Sequence, residues 1–283
     1  MRPATVLIPD PAYAHDYRWA YDVEAAALDA GGVAVRPLPW TEAAGVGGDA
    51  VVLPLVAWGY HLEPDRWHAL LDALEARGAT VINPVPVLRW NSDKAYLEGL
   101  GARGIPTIPS RLVAAMDEAA LDAARGEWGG DIVVKPPVSA SASGTYRLGP
   151  GDALPEECAG RPMLVQPFLA AVASEGEYSL LLFDGVASHC VVKRPAAGDY
   201  RVQPHLGGRE QPCAAPDGAV EIAQAALAAA PGDCAYARVD LLRGADGALR
   251  IIELELIEPS LWLQHAPDGG ASFAAAIRRR LSP

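Results

Sequence analysis

The sequence predicts an α/β chain that passes into α+β in its C-terminal part. Three observations carry that expectation. Short apolar runs alternate with helical patterns over residues 1–88, a mixed strand and helix stretch follows a Pro-rich segment, and paired strand-like runs around Asp-Gly turns occupy the last third. In order, Val6 to Pro9 reads as a strand, and Trp19 to Ala30 as a helix stopped by Gly31-Gly32. Val33 to Pro37 and Ala50 to Leu55 read as strands, Pro64 to Arg77 as a helix, and Ala79 to Ile82 as a further strand. This alternation implies an open parallel sheet, whose ligands sit beyond the carboxyl ends of its strands. Those ends carry Pro9-Asp10 and Ala57-Trp58-Gly59-Tyr60-His61.

Asn83-Pro84 to Arg89 reads as a Pro-rich connection and a boundary, after which Ser92 caps a helix running to about Leu100. Thr107 to Val165 holds a strand, a helix over Asp117 to Arg125, a strand over Asp131 to Lys135, a loop of small residues and a last strand. From Gln166 the signals turn antiparallel: Tyr178 to Asp184 and Ala187 to Arg194 flank Asp184-Gly185. A helix over Gly218 to Ala230, a hairpin over Tyr236 to Ile257 and a helix over Gly270 to Arg280 complete the chain. The expected units are 1–88, 89–165 and 166–283.

A chain of 283 residues exceeds one minimal core, in keeping with several lobes. Its net charge of −12 disfavours nucleic acid and anionic membrane as partners, because neither finds a basic stripe. A nucleotide is not disfavoured, since a few placed cations suffice. No apolar run approaches a membrane span, and the start of the chain reads as a buried strand rather than a signal peptide. Cys158, Cys190, Cys213 and Cys234 form no C-x-x-C pair, which favours buried thiols and a reducing, cytoplasmic location.

The hairpin carries the chemistry. With Asp246-Gly247 as a two-residue turn, Ala245 pairs with Ala248, which sets Asp240 opposite Glu253 and Arg238 opposite Glu255. Period-two alternation sends Ile252, Leu254 and Leu256 to the other face. Like charges directly opposite on a sheet destabilise it, so Asp240, Glu253 and Glu255 call for a cation; all-oxygen ligands select Mg²⁺ or Mn²⁺. A solvated edge hairpin whose acids pair with Arg238 accounts for the same pattern. Upstream, Lys135 ends a strand against Pro136-Pro137, and no bulky side chain lies between Ser139 and Gly144, so backbone N–H groups there can approach phosphate. Lys94, in Asn91-Ser92-Asp93-Lys94, is expected in a helix's first turn, against the dipole.

The order Asn-Ser-Asp-Lys, Val-Lys-Pro with its small-residue loop, Gln-Pro-Phe, Arg-Val-Gln followed by Gly-Gly, then Ala-Arg-Val-Asp and Glu-Leu-Glu resembles the ATP-grasp superfamily over residues 88 to 262. Within it the chain looks most like the glutathione synthetase and RimK-type branch. Leu88 to Leu97 and Glu253 to Leu261 look closer still to the group containing the cyclo-ligase of D-cycloserine biosynthesis. The resemblance implies an N-terminal α/β domain, a central lid subdomain and a C-terminal subdomain clasping ATP. It implies that Lys94 and Lys135 hold phosphates beneath a flap containing Ser139, Ser141, Ser143 and Gly144. Gln166, Pro167, Phe168 and Leu169 would meet adenine, Glu177 the ribose, and Lys193 and Arg201 the phosphates and an acyl-phosphate, with Lys135, Lys193 and Arg201 catalytic. Asp240, Glu253 and Glu255 would bind Mg²⁺. The flap has serines where many relatives have glycines, and Glu255 stands where glutathione synthetase-like enzymes usually carry Asn.

The activity so implied is ADP-forming ligation: a carboxylate of an amino-acid-like small molecule is phosphorylated and an amine-type nucleophile, intramolecular in a cyclo-ligase, displaces phosphate. A homodimer is common for such ligases. Asp10, Tyr13, Trp58, Tyr60 and His61 are the candidates to line the acceptor region, with weaker claims for His189 and His205. A catalytically idle nucleotide-binding scaffold and a kinase with a stable phosphorylated product are the rival readings.

Overall fold

The computed structural model describes residues 3–203 and 206–281. Its first sheet contains β1 (Ala4–Ile8), β2 (Val35–Pro39), β3 (Val51–Leu53) and β4 (Thr80–Val81), all parallel, in the order β2-β1-β3-β4. Every residue of β1 is buried, as a central strand covered on both faces requires. Helices α1 (Arg18–Ala30) and α2 (Pro64–Ala76) cover it. Trp40 and Trp67 meet edge to face beneath α2, with ring centroids 6.1 Å apart.

The Pro-rich connection is instead a helix, α3 (Val85–Asn91). Pro84 precedes it and Pro86 lies in its first turn, where the missing N–H has no intrahelical partner to lose. Ser92 ends α3 rather than starting the next helix: its hydroxyl donates to Leu88 O (2.7 Å) and accepts from Trp67 Nε1 (3.0 Å). The following helix, α4 (Tyr96–Ala102), begins after Asp93 accepts the Ala95 N–H. Lys94 therefore occupies the bend between α3 and α4, and the helix-dipole cost expected for it does not arise.

The second sheet is antiparallel, built from β5 (Arg111–Val113), β6 (Ile132–Lys135), β7 (Tyr146–Leu148) and β8 (Met163–Pro167), in the order β5-β8-β6-β7. Helix α5 (Glu118–Trp128) packs on it, started by Asp117, whose side chain accepts the Ala120 N–H.

A short helix, α6 (Ala171–Ser174), leads into β9 (Glu177–Phe183) and β10 (Val186–Arg194). Asp184 and Gly185, both with positive φ, join these two strands, which suits the right-handed twist of a tight hairpin. Then come β11 (Arg209–Cys213), α7 (Ala219–Ala228), β12 (Tyr236–Arg243), β13 (Leu249–Glu255) and α8 (Ala271–Arg279). The third sheet is antiparallel in the order β11-β10-β9-β12-β13. Strand β11 was not legible, because Arg-Glu-Gln-Pro-Cys has no apolar alternation; an edge position tolerates its proline.

One apolar cluster joins the first and third sheets, with Val6, Leu28 and Ile82 meeting Leu181, Phe183, Tyr236 and Phe273. The four thiols are free; Cys158, Cys190 and Cys234 are buried and Cys213 is partly so. No helix among the described residues is long and apolar enough to cross a membrane.

Candidate active site

Asp240 pairs with Glu253 and Arg238 with Glu255, as the hairpin reading expects, but the turn differs. The strands meet at Arg243 and Leu249 around a longer loop, closed by Gly244 N donating to Ala248 O at 2.8 Å. That loop alone would put the acids one residue out of register. A bulge at Ile252, between the Leu241–Ile251 and Asp240–Glu253 pairs, restores it. The bulge also re-aims Ile252. It leaves the face of Leu254 and Leu256 and packs with Val202, Leu242 and Phe168 in the cleft.

One oxygen each from Asp240, Glu253 and Glu255 lies within 4.8 Å of the others. An all-carboxylate set of this spread fits a hard cation such as Mg²⁺. Protein cations already surround it. Arg238 Nε and Nη2 each bond Asp240 at 3.0 Å, Nη2 also pairs with Glu255, and the guanidinium carbon sits 5.1 Å from the Trp262 ring centroid. Lys193, opposite Glu177 on β10, pairs with Glu177 and with Asp240 Oδ2 at 3.1 Å. Ser179 donates to Asp240 Oδ1 at 2.6 Å. Lys94 pairs with Glu253 Oε1 at 3.2 Å and bonds the Ser139 carbonyl.

These contacts set the charge states. Burial works against an ionised Asp240, but Arg238 and Lys193 outweigh it and hold the carboxyl below its ordinary range. Burial likewise opposes charge on Glu253, and Lys94 and Lys135 overcome it. Glu255 is the exception. Burial and then the neighbouring acids prevail over Arg238, and its carboxyl lies well above the usual value. Burial raises Glu177 to about 7 against the pull of Lys193. Burial also pushes Lys135 down to about 8.

The apolar end of the cleft lies where β6 meets β8. Phe168, Leu169, Tyr200, Val202, Leu242 and Ile252 form an apolar slot there, with Arg147 stacked 3.8 Å from the Phe168 centroid. Gln166 is buried and gives its amide to Ser110 Oγ at 2.8 Å, and its backbone pairs with Val133 of β6, so the residue shapes the wall of the cleft from within the sheet. Ser139 and Ser141 line the cleft, whereas Ser143 and Gly144 face a neighbouring cavity with Tyr146, Glu157 and Arg161. Arg201 reaches the rim and bonds Asp199, Nη2 to Oδ2 at 2.9 Å. Arg238 joins Lys94 and Lys193 in contact with the acids, although the sequence reading set it opposite Glu255 and gave it no part in binding or catalysis. The signal was present, since Arg238 stands two residues before Asp240 on the same strand face.

At the opposite end the wall contains Tyr13, Trp58, Tyr60, His61, Glu258 and Ser260. Asp10 is absent from it, its carboxylate accepting from Thr41 Oγ1 (2.6 Å) and Ala12 N (2.8 Å). His189 lies outside the cleft, its Nε2 2.9 Å from Leu261 O, and His205 falls outside the described residues. Burial, then Lys94, lowers the His61 pKa to about 4, leaving it neutral at physiological pH. The whole cleft encloses about 750 Å³.

No protein-family model matches the chain. It is 36% identical over 224 residues to the cycloserine biosynthesis protein DcsG of Streptomyces lavendulae, across 72% of this chain and 74% of that one. The crystal structure of D-cycloserine synthetase DcsG superposes with a TM-score of 0.83 at 29% identity, covering 99% of this chain and 100% of the other. The ATP-grasp ligase PsnB, solved with a precursor variant, Mg and ADP, shares the fold at a TM-score of 0.65 and 16% identity, with 99% of each chain covered.

Proposed function

The chain belongs to the ATP-grasp ligases, in the company of D-cycloserine synthetase, and on that premise we propose how its own residues divide the work of ATP-dependent carboxylate–amine ligation. One observation carries the assignment: Asp240, Glu253 and Glu255 meet Lys94, Lys135, Lys193 and Arg238 in a single cleft, between an apolar slot and an aromatic-walled end. A solvated edge hairpin has no use for that convergence.

Adenine lies in the slot of Phe168, Leu169, Val202 and Ile252, against the backbone of Gln166 and Pro167. Lys94 and Lys135 reach the phosphates under the loop carrying Ser139 and Ser141. Asp240, Glu253 and Glu255 would hold Mg²⁺, with Mn²⁺ suited to the same oxygen set, and the metal would supply charge neutralisation for the transferred phosphoryl group. A substrate carboxylate oxygen attacks the γ-phosphorus while the bond to the β–γ bridging oxygen breaks and ADP leaves. Arg238, fixed by two bonds to Asp240, presents its remaining N–H groups to the carboxylate and then to the acyl-phosphate. Lys193 keeps Asp240 and Glu177 apart in charge, and Arg201 closes the rim. An amine-type nitrogen then attacks the acyl carbon, its proton is lost and inorganic phosphate departs. The substrate is an amino-acid derivative carrying its own nucleophile, so that the product is cyclic.

A phosphate-release screen over amino acids, dipeptides and O-ureido-serine tests this. The expected result is ADP and phosphate with a carboxylate substrate, a hydroxamate when hydroxylamine is added, and a loss of at least ~10²-fold in Asp240→Asn and Glu253→Gln. Full turnover in both variants overturns the metal assignment. AMP and pyrophosphate as sole products overturn the reaction.

A further inference from the structure

The acceptor end of the cleft contains a carboxylate with no task in ATP binding. Glu258 follows β13 by three residues and faces the cleft beside Trp58, whose Nε1 donates to the Glu258 carbonyl at 3.4 Å. Lys94 and Arg238, which line the same cleft, are committed elsewhere, Lys94 to Glu253 and Arg238 to Asp240 and Glu255. Aromatic rings complete the surroundings. The Tyr13 ring lies against Gly59, whose φ is +89° and where an added Cβ would meet Tyr13 Cδ2 at 2.9 Å, so the glycine is what admits the ring. Trp19, half exposed at the mouth, stands 5.6 Å from Trp58 between ring centroids.

We infer that Glu258, walled by Tyr13 and Trp58, is the anchor for the substrate's α-ammonium group and so selects α-amino acids over simple carboxylic acids. This rests on the ligase reading above and names the substrate class of the same cleft. A carboxylate paired with aromatic faces is the chemistry that holds a compact ammonium ion, by a charge-assisted hydrogen bond and by attraction to the ring quadrupole. The placement matches an α-amino acid's geometry. Its carboxylate and ammonium are borne by the same carbon, so their anchors must stand side by side. Arg238 and Glu258 line the same cleft, and Glu258 follows by three residues Glu255, the carboxylate that pairs with Arg238. With the carboxylate at Arg238, the ammonium falls at Glu258.

The experiment compares O-ureido-serine with 3-(ureidooxy)propanoate, the same carboxylate lacking only the ammonium, in phosphate release and in tryptophan-fluorescence titration with Mg²⁺ and ADP present. The wild type is expected to prefer the amino acid by about 10–100-fold in kcat/KM, the range of one charged hydrogen bond. Glu258→Gln is expected to cut that preference below about tenfold through KM for the amino acid, with KM for ATP unchanged and partial rescue in Glu258→Asp. A wild type that treats the two compounds alike overturns the inference without any variant having to fold. So does a Glu258→Gln enzyme that keeps the full preference, or an Asp16→Asn enzyme, altered at an acid that also lines the cleft, that loses it instead. A wild type releasing phosphate with neither compound refutes the ligase substrate, and the titration then decides the ammonium site alone, equal affinities overturning it.

Discussion

Arg238→Met removes a cation while leaving every carboxylate of the site in place. The guanidinium makes two bonds of 3.0 Å to Asp240 and pairs with Glu255, at side-chain exposures of 9% and 2% for Arg238 and Asp240. Breaking a buried pair by removing one partner costs about 3–5 kcal/mol, because a charge is left desolvated. Lys193 and Ser179 still hold Asp240, so the lower end, about 3 kcal/mol, applies. At ~2–4 °C per kcal/mol for a chain approaching this size, the Tm in EDTA should fall by roughly 6–12 °C. Saturating Mg²⁺ with ADP should then stabilise the variant more than the wild type, since a metal supplies the charge the acids have lost. A ligand at a hundredfold excess over its Kd contributes about 2.7 kcal/mol, enough to recover most of the deficit. Phosphate release should stay depressed by ~10²-fold or more even in the restabilised variant. Differential scanning calorimetry of both proteins, in EDTA and in Mg²⁺-ADP, gives the four numbers needed. Equal Mg²⁺-ADP increments in the two proteins refute the metal role of these carboxylates, and an unchanged Tm in EDTA refutes the structural role of Arg238.

Lys135, lowered to about 8 by burial, is charged below that pH and loses its charge as pH rises through it. KM for ATP should therefore rise about tenfold between roughly pH 7 and pH 9, and Lys135→Arg, whose guanidinium stays charged, should flatten the profile. The stability effect has the opposite sign: between about 8 and the ordinary value of 10.5 the unfolded chain binds more protons, so this group's contribution improves with pH. A KM for ATP that is flat in the wild type rejects the role of Lys135. Asn91→Leu strips one backbone group of β13, Leu254 O, and one just beyond it, Leu256 N, of their partner and should cost about 3 kcal/mol in denaturant unfolding, with weaker Mg²⁺ binding by calorimetry. Unchanged Mg²⁺ affinity there separates fold stability from positioning of the acids.

Much of this was legible because the period-two face of a strand survives local irregularity. Asp240 and Glu253 oppose each other although the turn expected to place them is not the one formed, since a bulge at Ile252 compensates for a longer loop. The bulge itself left no trace in the pattern, and Ile252 was assigned to the wrong face. Prolines misled in the same local way at Asn83 to Arg89, where two of them open a helix instead of preventing one. In the site, Lys135 could be read from its place at a strand end, whereas Lys94, expected in a helix's first turn, lies in the bend before α4 and Lys193 came only from the resemblance. The partition of the serine loop between two cavities could not be read, because it depends on positive φ at Ser141 and Ala142, a conformation without a sequence signature in non-glycine residues. Glu258 was quoted in the chain's resemblance but given no role, for it lies beyond the strand whose alternation identified the other acids.

The edge strand β13 explains why the whole of Asn91-Ser92-Asp93-Lys94 belongs to the site although Ser92 and Asp93 do not line the cleft. An edge strand exposes a row of unpaired N–H and C=O groups, and the acids it carries are only as well placed as its backbone. Here side chains act as the missing neighbour. Asn91 donates to Leu254 O at 2.6 Å and accepts from Leu256 N at 2.8 Å, bracketing Glu255. The Tyr96 hydroxyl both donates to Leu254 O (3.0 Å) and accepts from Leu254 N (2.8 Å), beside Glu253. Asn83 ties the strand's continuation to β12, donating to Leu256 O and Tyr236 O while accepting from Ala235 N. Between these clamps, Ser92 and Asp93 fix the bend that aims Lys94 at Glu253. One short segment thus sets both the backbone under two acids and the cation facing one of them. The spacing from Asn91 to Lys94 is therefore fixed by geometry, whereas the length of the hairpin loop, absorbed by a bulge, is not.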